Sequence, residues 1–362
     1  MKNTYALEMN AEVAPGYDEN PFRLSDSLNS GGGWFVDTKF NAMQEFNDFR
    51  LRGSVSNRAY EGSNDDADIF IGKVDGRYKK KYKIGGKKGY SYLKAGYTSY
   101  DKTYIRRSTG KIATFSGQNN ENRYDYDSFD IEAKTSIYLT KQLRTGLKIN
   151  YLNKEYYDTN IAGISNLDYG QIRLSNDWFY KLNDQNRFNL NLYYAYRDFD
   201  NRRKKTLSGA NIASTNLEYD YYSASLGYKY KFSPQLSSGI KASYIGRRDN
   251  GTGYYDTDDF KFSAELDYEI NTGLNLATTV SYQDYNYVNG TITDEDDQIL
   301  PDKEGYTIKF HLEKDLNVVK SLPLAVFTGV RYDDYDSKDL NFIYDRVQVF
   351  AGLKLKFNTD FL

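Results

Sequence analysis

The segment YDRVQVFAGLKLKF, residues 344–357, decides the fold class of this chain. Every second residue from Val347 to Phe357 is apolar, whereas the residues between them are mostly polar. A period of two is typical of a β-strand with one apolar and one polar face. The segment is longer than the about five or six residues of an ordinary globular strand, and it reaches the about nine to eleven that a tilted strand needs to cross a bilayer. It therefore predicts a membrane-spanning strand.

The same alternation recurs along the whole chain, for example in FDIEAKTSIYL, residues 129–139. About sixteen such segments can be counted, and the connections between them are alternately longer and short. We therefore predict one domain, residues 1–362, that forms an all-β transmembrane antiparallel up-and-down β-barrel of about 16 strands, with 14–18 as the range. In this prediction the first strand covers residues 5–13, a loop follows over 15–33, and the connection at 314–322 is an exception to the short class.

Composition favours the barrel over a soluble protein of two or three domains. The chain has 362 residues, a mean hydropathy of −0.76, 27% charged residues, and 37 Tyr and 20 Phe. Aromatic residues suit the water–lipid boundaries, and charged residues suit a lumen and loops. A soluble β-sandwich or β-solenoid is the alternative, but Lys, Arg, Asp and Glu almost always take the polar register. A soluble surface does not need that order, whereas Lys or Arg on a lipid face costs about 2–4 kcal/mol.

The barrel prediction places the protein in the bacterial outer membrane, in contact with outer-membrane lipid and lipopolysaccharide. The sequence begins Met1-Lys2-Asn3 and runs directly into strand-like sequence, without an apolar signal segment. We therefore expect a mature form whose export signal has been removed. The absence of Cys fits an oxidising periplasm and many cytosolic proteins alike. A net charge of −2 gives no reason to expect a nucleic-acid partner.

Charged residues in the polar register are the candidate lining of the lumen. They are Arg50, Arg52, Lys73, Arg77, Lys94, Lys134, Lys148, Arg173, Arg197, Lys241, Arg346, Asp130, Glu132 and Glu265. One interpretation is cross-strand ion pairing that makes the wall rigid. The other is a pore lining whose modest basic bias favours anionic solutes.

Aromatic residues in the polar register are fewer, namely Tyr92, Tyr138, Phe179, Tyr193, Tyr221 and Phe350. Sugars present apolar C–H faces that pack on aromatic rings, while their hydroxyls bond to polar neighbours. These six residues are the candidate sugar-stacking positions. Ordinary filling of the lumen is the alternative interpretation.

No catalytic or metal site is predicted, and no cofactor. His311 is the only His, and there is no Cys, so neither a nucleophile–His pair nor a zinc ligand set can be argued. The acidic runs at 294–297 and 256–259 lack the spacing of a calcium-binding EF-hand loop. They are interpreted as solvated loops, and the protein is predicted not to be an enzyme.

The octapeptide YDENPFRL, residues 17–24, resembles the Tyr-Asp-x-Asn-x-Phe-Arg-Leu signature of β-barrel porins found with exopolysaccharide biosynthesis genes, the EpsL/VpsM-like group. Residues 352–357 also resemble the closing-strand signal that the barrel assembly machinery reads, although the chain continues through 358–362. The resemblance implies a passage for extracellular polysaccharide that works with a periplasmic polysaccharide-export protein.

Three functions are therefore open at the level of the sequence. The first is a passive outer-membrane conduit for polysaccharide export. The second is a general or solute-selective diffusion porin. The third is a structural barrel, plugged by its own charges, that docks partner proteins.

Overall fold

The segments with period-two alternation form sixteen antiparallel strands of one closed β-barrel, which confirms the predicted fold class. The computed structural model describes residues 5–25, 27–29, 31–106, 109–157, 161, 164–289, 292–293, 299–300, 302–319 and 322–358. The barrel strands are β1 Tyr5–Asp18, β2 Gly33–Phe46, β3 Phe49–Tyr60, β4 Ile69–Ile84, β5 Lys87–Asp101, β6 Tyr126–Tyr138, β7 Leu143–Tyr156, β8 Tyr169–Lys181, β9 Asn186–Phe199, β10 Glu218–Lys231, β11 Leu236–Asp249, β12 Thr257–Asn271, β13 Leu274–Tyr287, β14 Lys303–Val319, β15 Leu322–Asp336 and β16 Tyr344–Asn358.

The seam between β1 and β16 closes the barrel, with Val13 opposite Leu353 and Tyr17 opposite Val349. The prediction that the first strand stops at residue 13 was wrong, because β1 continues through Pro15 to Asp18. Pro15 is opposite Val36 of β2, but the pairing with β16 passes from Val13 directly to Gly16. Proline has no N–H to donate to a β-sheet hydrogen bond. At Pro15, β1 therefore keeps its pairing with β2, whereas its pairing with β16 is interrupted.

The two faces of the wall have opposite chemistry. Leu353, Phe262 and Ile131 are 53%, 41% and 41% exposed on the outside of the barrel. Lys134, in the other register, pairs with Asp177 and so joins β6 to β8 across β7. Side chains from next-nearest strands approach one another on the concave side of a barrel, so the charged register faces the lumen. The apolar register is the outer surface.

The connections alternate as the sequence predicts. The turns at 47–48, 85–86, 139–142, 182–185, 232–235, 272–273 and 320–321 are short, and the connections at 19–32, 61–68, 102–125, 157–168, 200–217, 250–256, 288–302 and 337–343 are longer. The exception predicted at 314–322 was wrong, because β14 runs to Val319 and β15 begins at Leu322. In the part of the chain that the structure describes, no helix has the length and apolar character to cross a membrane.

Three of the longer connections contact one another at their end of the barrel. Leu24 is buried, and its Cδ1 lies 3.0 Å from the position that a Cβ on Gly110 would take. Arg123 donates a hydrogen bond of 3.3 Å to the carbonyl oxygen of Ser165. These contacts join the connections 19–32, 102–125 and 157–168 above the strands.

The pH dependence of the connection 102–125 follows from Asp125, at its end. Burial raises the pKa of the Asp125 carboxyl from 3.8 to about 6, and Asp101 and Glu121 add to the rise, although the carboxylate accepts the backbone N–H of Lys102 at 2.8 Å. A raised pKa means that this group stabilises the folded connection fully below pH 3.8 and that the contribution is lost as the pH rises through about 6. We expect amide protection of Lys102 and Tyr157 in hydrogen exchange to be higher at pH 5 than at pH 7.5.

The Asp125→Asn variant is the control for this prediction. Asparagine keeps the acceptor oxygen but has no charge to titrate, so the protection factors should not change between the two pH values. The same pH dependence in the wild type and the variant would contradict the assignment to Asp125.

Candidate functional site

Part of the predicted lumen lining is arranged in ion pairs between strands. The pairs are Arg52–Asp75 at 2.7 Å, Lys94–Asp130 at 3.4 Å, Lys148–Glu132 at 3.2 Å, Lys229–Glu265 at 3.6 Å, and Lys134–Asp177. Each joins residues of different strands on the inner face, so it holds the wall in register. The rigid-wall interpretation accounts for these residues; whether they also line a conducting path stays a prediction.

Six of the predicted basic residues of the inner register have no carboxylate within ion-pair distance among the described residues, namely Arg50, Lys73, Arg77, Arg173, Arg197 and Lys241. Arg50 lies opposite Arg77 in the β3–β4 ladder and opposite Glu45 in the β2–β3 ladder, without an ion pair to Glu45. Lys73 lies opposite Ser54 and Thr98, and Lys241 opposite Gly227 and Ser263. Two like charges face each other at Arg50 and Arg77, which is unfavourable unless water or an anion screens them. These residues give the described inner face a surplus of positive charge.

Five of the six predicted sugar-stacking rings have an arginine over their faces. The distances from guanidinium carbon to ring centroid are 5.8 Å for Arg77 and Tyr92, 5.9 Å for Arg144 and Tyr138, 5.2 Å for Arg144 and Phe179, 3.7 Å for Arg173 and Tyr193, and 5.0 Å for Arg197 and Tyr221. Phe350 instead packs against Phe327 and His311. Each of these guanidinium groups lies within cation–π distance of its ring. Sugar stacking at these positions stays a prediction.

Arg346 is buried against Asp18 and has little access to the lumen. Its side chain is 4% exposed and Asp18 is 0% exposed. The Asp18 carboxylate accepts hydrogen bonds from Nε and Nη2 of Arg346. It also accepts one from the side-chain amide of Gln348, at 2.7 Å, and one from the hydroxyl of Tyr60, at 2.6 Å. Asp18 thus ties the end of β1 to β3 and β16, and we call the group of Asp18, Tyr60, Arg346 and Gln348 the seam network.

Asn20, two residues beyond Asp18, organises the start of the connection 19–32. Its side chain accepts the backbone N–H of Leu24 at 2.9 Å and donates to the Leu24 carbonyl oxygen at 2.7 Å and to that of Asp345 at 3.2 Å. Arg23 adopts a φ of +57° within this turn. The octapeptide at 17–24 therefore has a structural role at the seam, and the sequence argument named the motif without finding that role.

A row of aromatic rings crosses the inner wall near the longer connections. Neighbouring ring centroids lie 5.0–6.4 Å apart from β5 to β10 and on to the connection 250–256. We call this row the aromatic belt, and its members are Tyr100, Tyr126, Tyr156, Tyr169, Phe199, Tyr219 and Tyr255. None of these seven residues was among the predicted site residues.

Cations lie over the aromatic belt and enclose a cavity of about 170 Å³. Lys154 Nζ is 3.3 Å from the centroid of Tyr126, Arg197 is 4.0 Å from that of Tyr169, and Arg247 is 4.8 Å from that of Tyr219. Arg197, Arg202 and Arg247 all line the cavity, and none of its described lining residues is acidic. Of these three residues, only Arg197 was among the predicted lumen-lining residues.

The remaining candidate residues form no recognisable reactive centre. His311 Nε2 is 3.9 Å from Glu313, which itself pairs with Lys354 and Lys356. Asp258 pairs with Arg248 and Asp259 with Lys261, both at 2.8 Å. The acidic run at 294–297 lies outside the described residues. No group of three or more potential metal ligands occurs among the residues that are described.

Comparison with known proteins gives similarity to solved barrels only. No family model and no curated protein matches the chain. Similar solved structures include a bacterial polysaccharide outer membrane secretin (TM-score 0.47, 10% identity, 97% of both chains), a BenF-like porin from Pseudomonas fluorescens (0.48, 11%, 97% of this chain and 99% of that one) and OccAB3 from Acinetobacter baumannii (0.46, 12%, 98% and 99%). Similarities this distant carry no conclusion about what this chain transports.

Proposed function

We propose that the protein is an outer-membrane pore through which extracellular polysaccharide passes. The observation that carries the proposal is the closed sixteen-stranded wall, which is apolar outside and charged inside. An apolar outer surface of this extent requires hydrocarbon around it. In this proposal the barrel contacts outer-membrane lipid and lipopolysaccharide, and the barrel assembly machinery inserts it.

A barrel of about sixteen strands is wide enough to leave an aqueous channel. Its described inner face has a surplus of positive charge at Arg50, Lys73 and Lys241, beside a set of satisfied ion pairs. Charges of one sign in a narrow aqueous passage favour solutes of the other sign. The proposal is therefore a passive, anion-preferring conduit, and it includes no chemical reaction.

Two observations favour a carbohydrate over small ions alone. The first is the aromatic belt with its stacked cations, because tyrosine rings and guanidinium edges together suit the apolar faces and polar edges of sugar rings. The second is the resemblance of residues 17–24 to porins found with exopolysaccharide genes. A periplasmic polysaccharide-export protein would then dock at the end of the barrel with the short turns.

Single-channel recording in planar bilayers tests the proposal. We expect stepwise conductance with a reversal potential that shows a preference for chloride over potassium. Purified exopolysaccharide of the source organism should block the current, and glucose or maltose should leave it unchanged. Equal block by small sugars would favour a diffusion porin, and absence of conductance would favour the plugged scaffold. Gene deletion that leaves surface polysaccharide unchanged would contradict a role in export.

A further inference from the structure

We propose that the cavity between Arg197, Arg202 and Arg247 binds a carboxylated sugar residue, such as a uronate within a polysaccharide. This inference deepens the proposed function by assigning a substrate class to one place in the barrel interior. It rests on that function for its biological meaning, but the binding itself can be measured whether or not the barrel conducts. The ligand is recognised by two features, a negative charge and a ring with apolar faces.

The charge of the site calls for an anion. Arg197 donates hydrogen bonds from Nε and Nη2 to the side-chain oxygen of Gln171, at 3.1 and 3.0 Å. Arg247 donates one from Nε to the backbone carbonyl oxygen of Tyr255, at 2.8 Å. All of these acceptors are neutral, and no described carboxylate lies within ion-pair distance of Arg197 or Arg247, although Asp256 is near enough to Arg247 to interact with its charge. Arg202 is buried and Arg197 and Arg247 are half-buried, so an anion in this cavity would be less screened by water than at an exposed surface.

One guanidinium atom of this cavity is itself buried and unsatisfied. Nη2 of Arg247 has no acceptor in hydrogen-bond geometry among the described residues, although the Arg247 side chain also interacts with the hydroxyls of Tyr221 and Tyr287. A carboxylate oxygen is a stronger acceptor for a guanidinium N–H than a phenol is. A bound carboxylate would therefore give the unpartnered Nη2 of Arg247 a stronger acceptor than the neighbouring phenols.

The aromatic walls of the cavity favour a sugar ring more than a simple anion. Tyr169, Phe199, Tyr219, Tyr255 and Tyr287 border the cavity, and each of these side chains is at least nine-tenths buried. Phosphate or chloride would gain nothing from aromatic walls, whereas the C–H face of a pyranose packs on them. A cavity of about 170 Å³ is of the size of one such ring, so we expect one sugar residue of a polymer to occupy it at a time.

Calorimetric titration of the detergent-solubilised full chain with tri-galacturonate tests this assignment, with maltotriose as the neutral sugar and acetate as the small anion. We expect binding of tri-galacturonate and no measurable binding of either control ligand. Arg247→Gln and Arg197→Gln should each weaken tri-galacturonate binding about tenfold, because each removes a charged donor. Lys141→Gln, in a short turn at the end of the barrel opposite the longer connections, removes the same charge and should leave binding unchanged.

Folding of each variant is checked by the heat-dependent shift of the barrel in gel electrophoresis, and Arg247→Lys replaces Arg247→Gln if the latter does not fold. Lysine keeps the charge but lacks the planar fork, so binding should again weaken. Unchanged binding in the folded Arg247 and Arg197 variants would overturn the assignment, as would equal binding of acetate or a wild type that does not bind. Planar-bilayer conductance is measured in parallel, so a barrel that binds tri-galacturonate but does not conduct would refute the pore and leave the site intact.

Discussion

Replacing Asp18 with alanine is expected to lower the free energy of unfolding of the barrel by about 3–5 kcal/mol. The substitution leaves the guanidinium of Arg346 buried, with its side chain 4% exposed, and removes its bidentate partner. The nearest remaining carboxylate to Arg346 is Asp333, at 3.8 Å. Asp333 already pairs with Arg331 at 2.8 Å and accepts a hydrogen bond from the Thr307 hydroxyl at 2.6 Å. Tyr60 and Gln348 lose their acceptor as well. The cost is large because a buried charge and two polar groups are left unsatisfied together.

Urea titration of the protein folded into lipid vesicles measures this effect. Asp37→Ala is the matched control, because Asp37 also accepts a bidentate arginine, Arg58, at 2.6 Å, but the two side chains are 16% and 22% exposed. Water can replace the lost partner there, so we expect a smaller loss, on the order of 1 kcal/mol. The double variant Asp18→Ala, Arg346→Met should recover part of the stability, since it removes the unpaired charge. Equal losses for Asp18→Ala and Asp37→Ala would contradict the special role of the seam network.

The strand count could be predicted because the bilayer imposes a strict rule on one face of every strand. Where a strand leaves the hydrocarbon that rule ends, and the prediction fails at the same point. In β10 the outward residue Asp220 accepts the hydroxyl of Tyr194, while the inward Tyr219 is buried. Here the outside is polar and the inside aromatic, which reverses the pattern used to find strands. Alternation alone therefore does not locate the strand ends at this side of the barrel.

The residues of the candidate site could be predicted only where strand alternation is regular. Arg197 was found because it lies within the regular alternation of β9, whereas Arg247 lies at the end of β11 beyond it. The members of the aromatic belt come together through register between strands and through the connections 200–217 and 250–256, neither of which a single strand's pattern contains. Asp18 could be named only as part of a motif, because its partner Arg346 is near the other end of the chain and meets it through barrel closure.

A charge on the outer face tests the surroundings of the barrel directly. Leu174 lies near the middle of β8, is 47% exposed, and pairs with Ile149 and Tyr194 on the apolar face. Leu174→Arg is expected to lower the free energy of unfolding in vesicles by about 2–4 kcal/mol, because it places a guanidinium near the bilayer midplane. The measurement is again urea titration of the vesicle-folded protein.

Leu207→Arg is the matched control, since Leu207 is 61% exposed in the connection 200–217. Both substitutions exchange an exposed leucine for arginine, and on a protein surrounded by water both would cost little. Only a hydrocarbon environment around the strands makes them differ, so Leu207→Arg should change stability by less than about 0.5 kcal/mol. Equal, small effects at both positions would mean that water surrounds the outer face of the strands. That result would contradict a membrane around the barrel, and with it the proposed pore function.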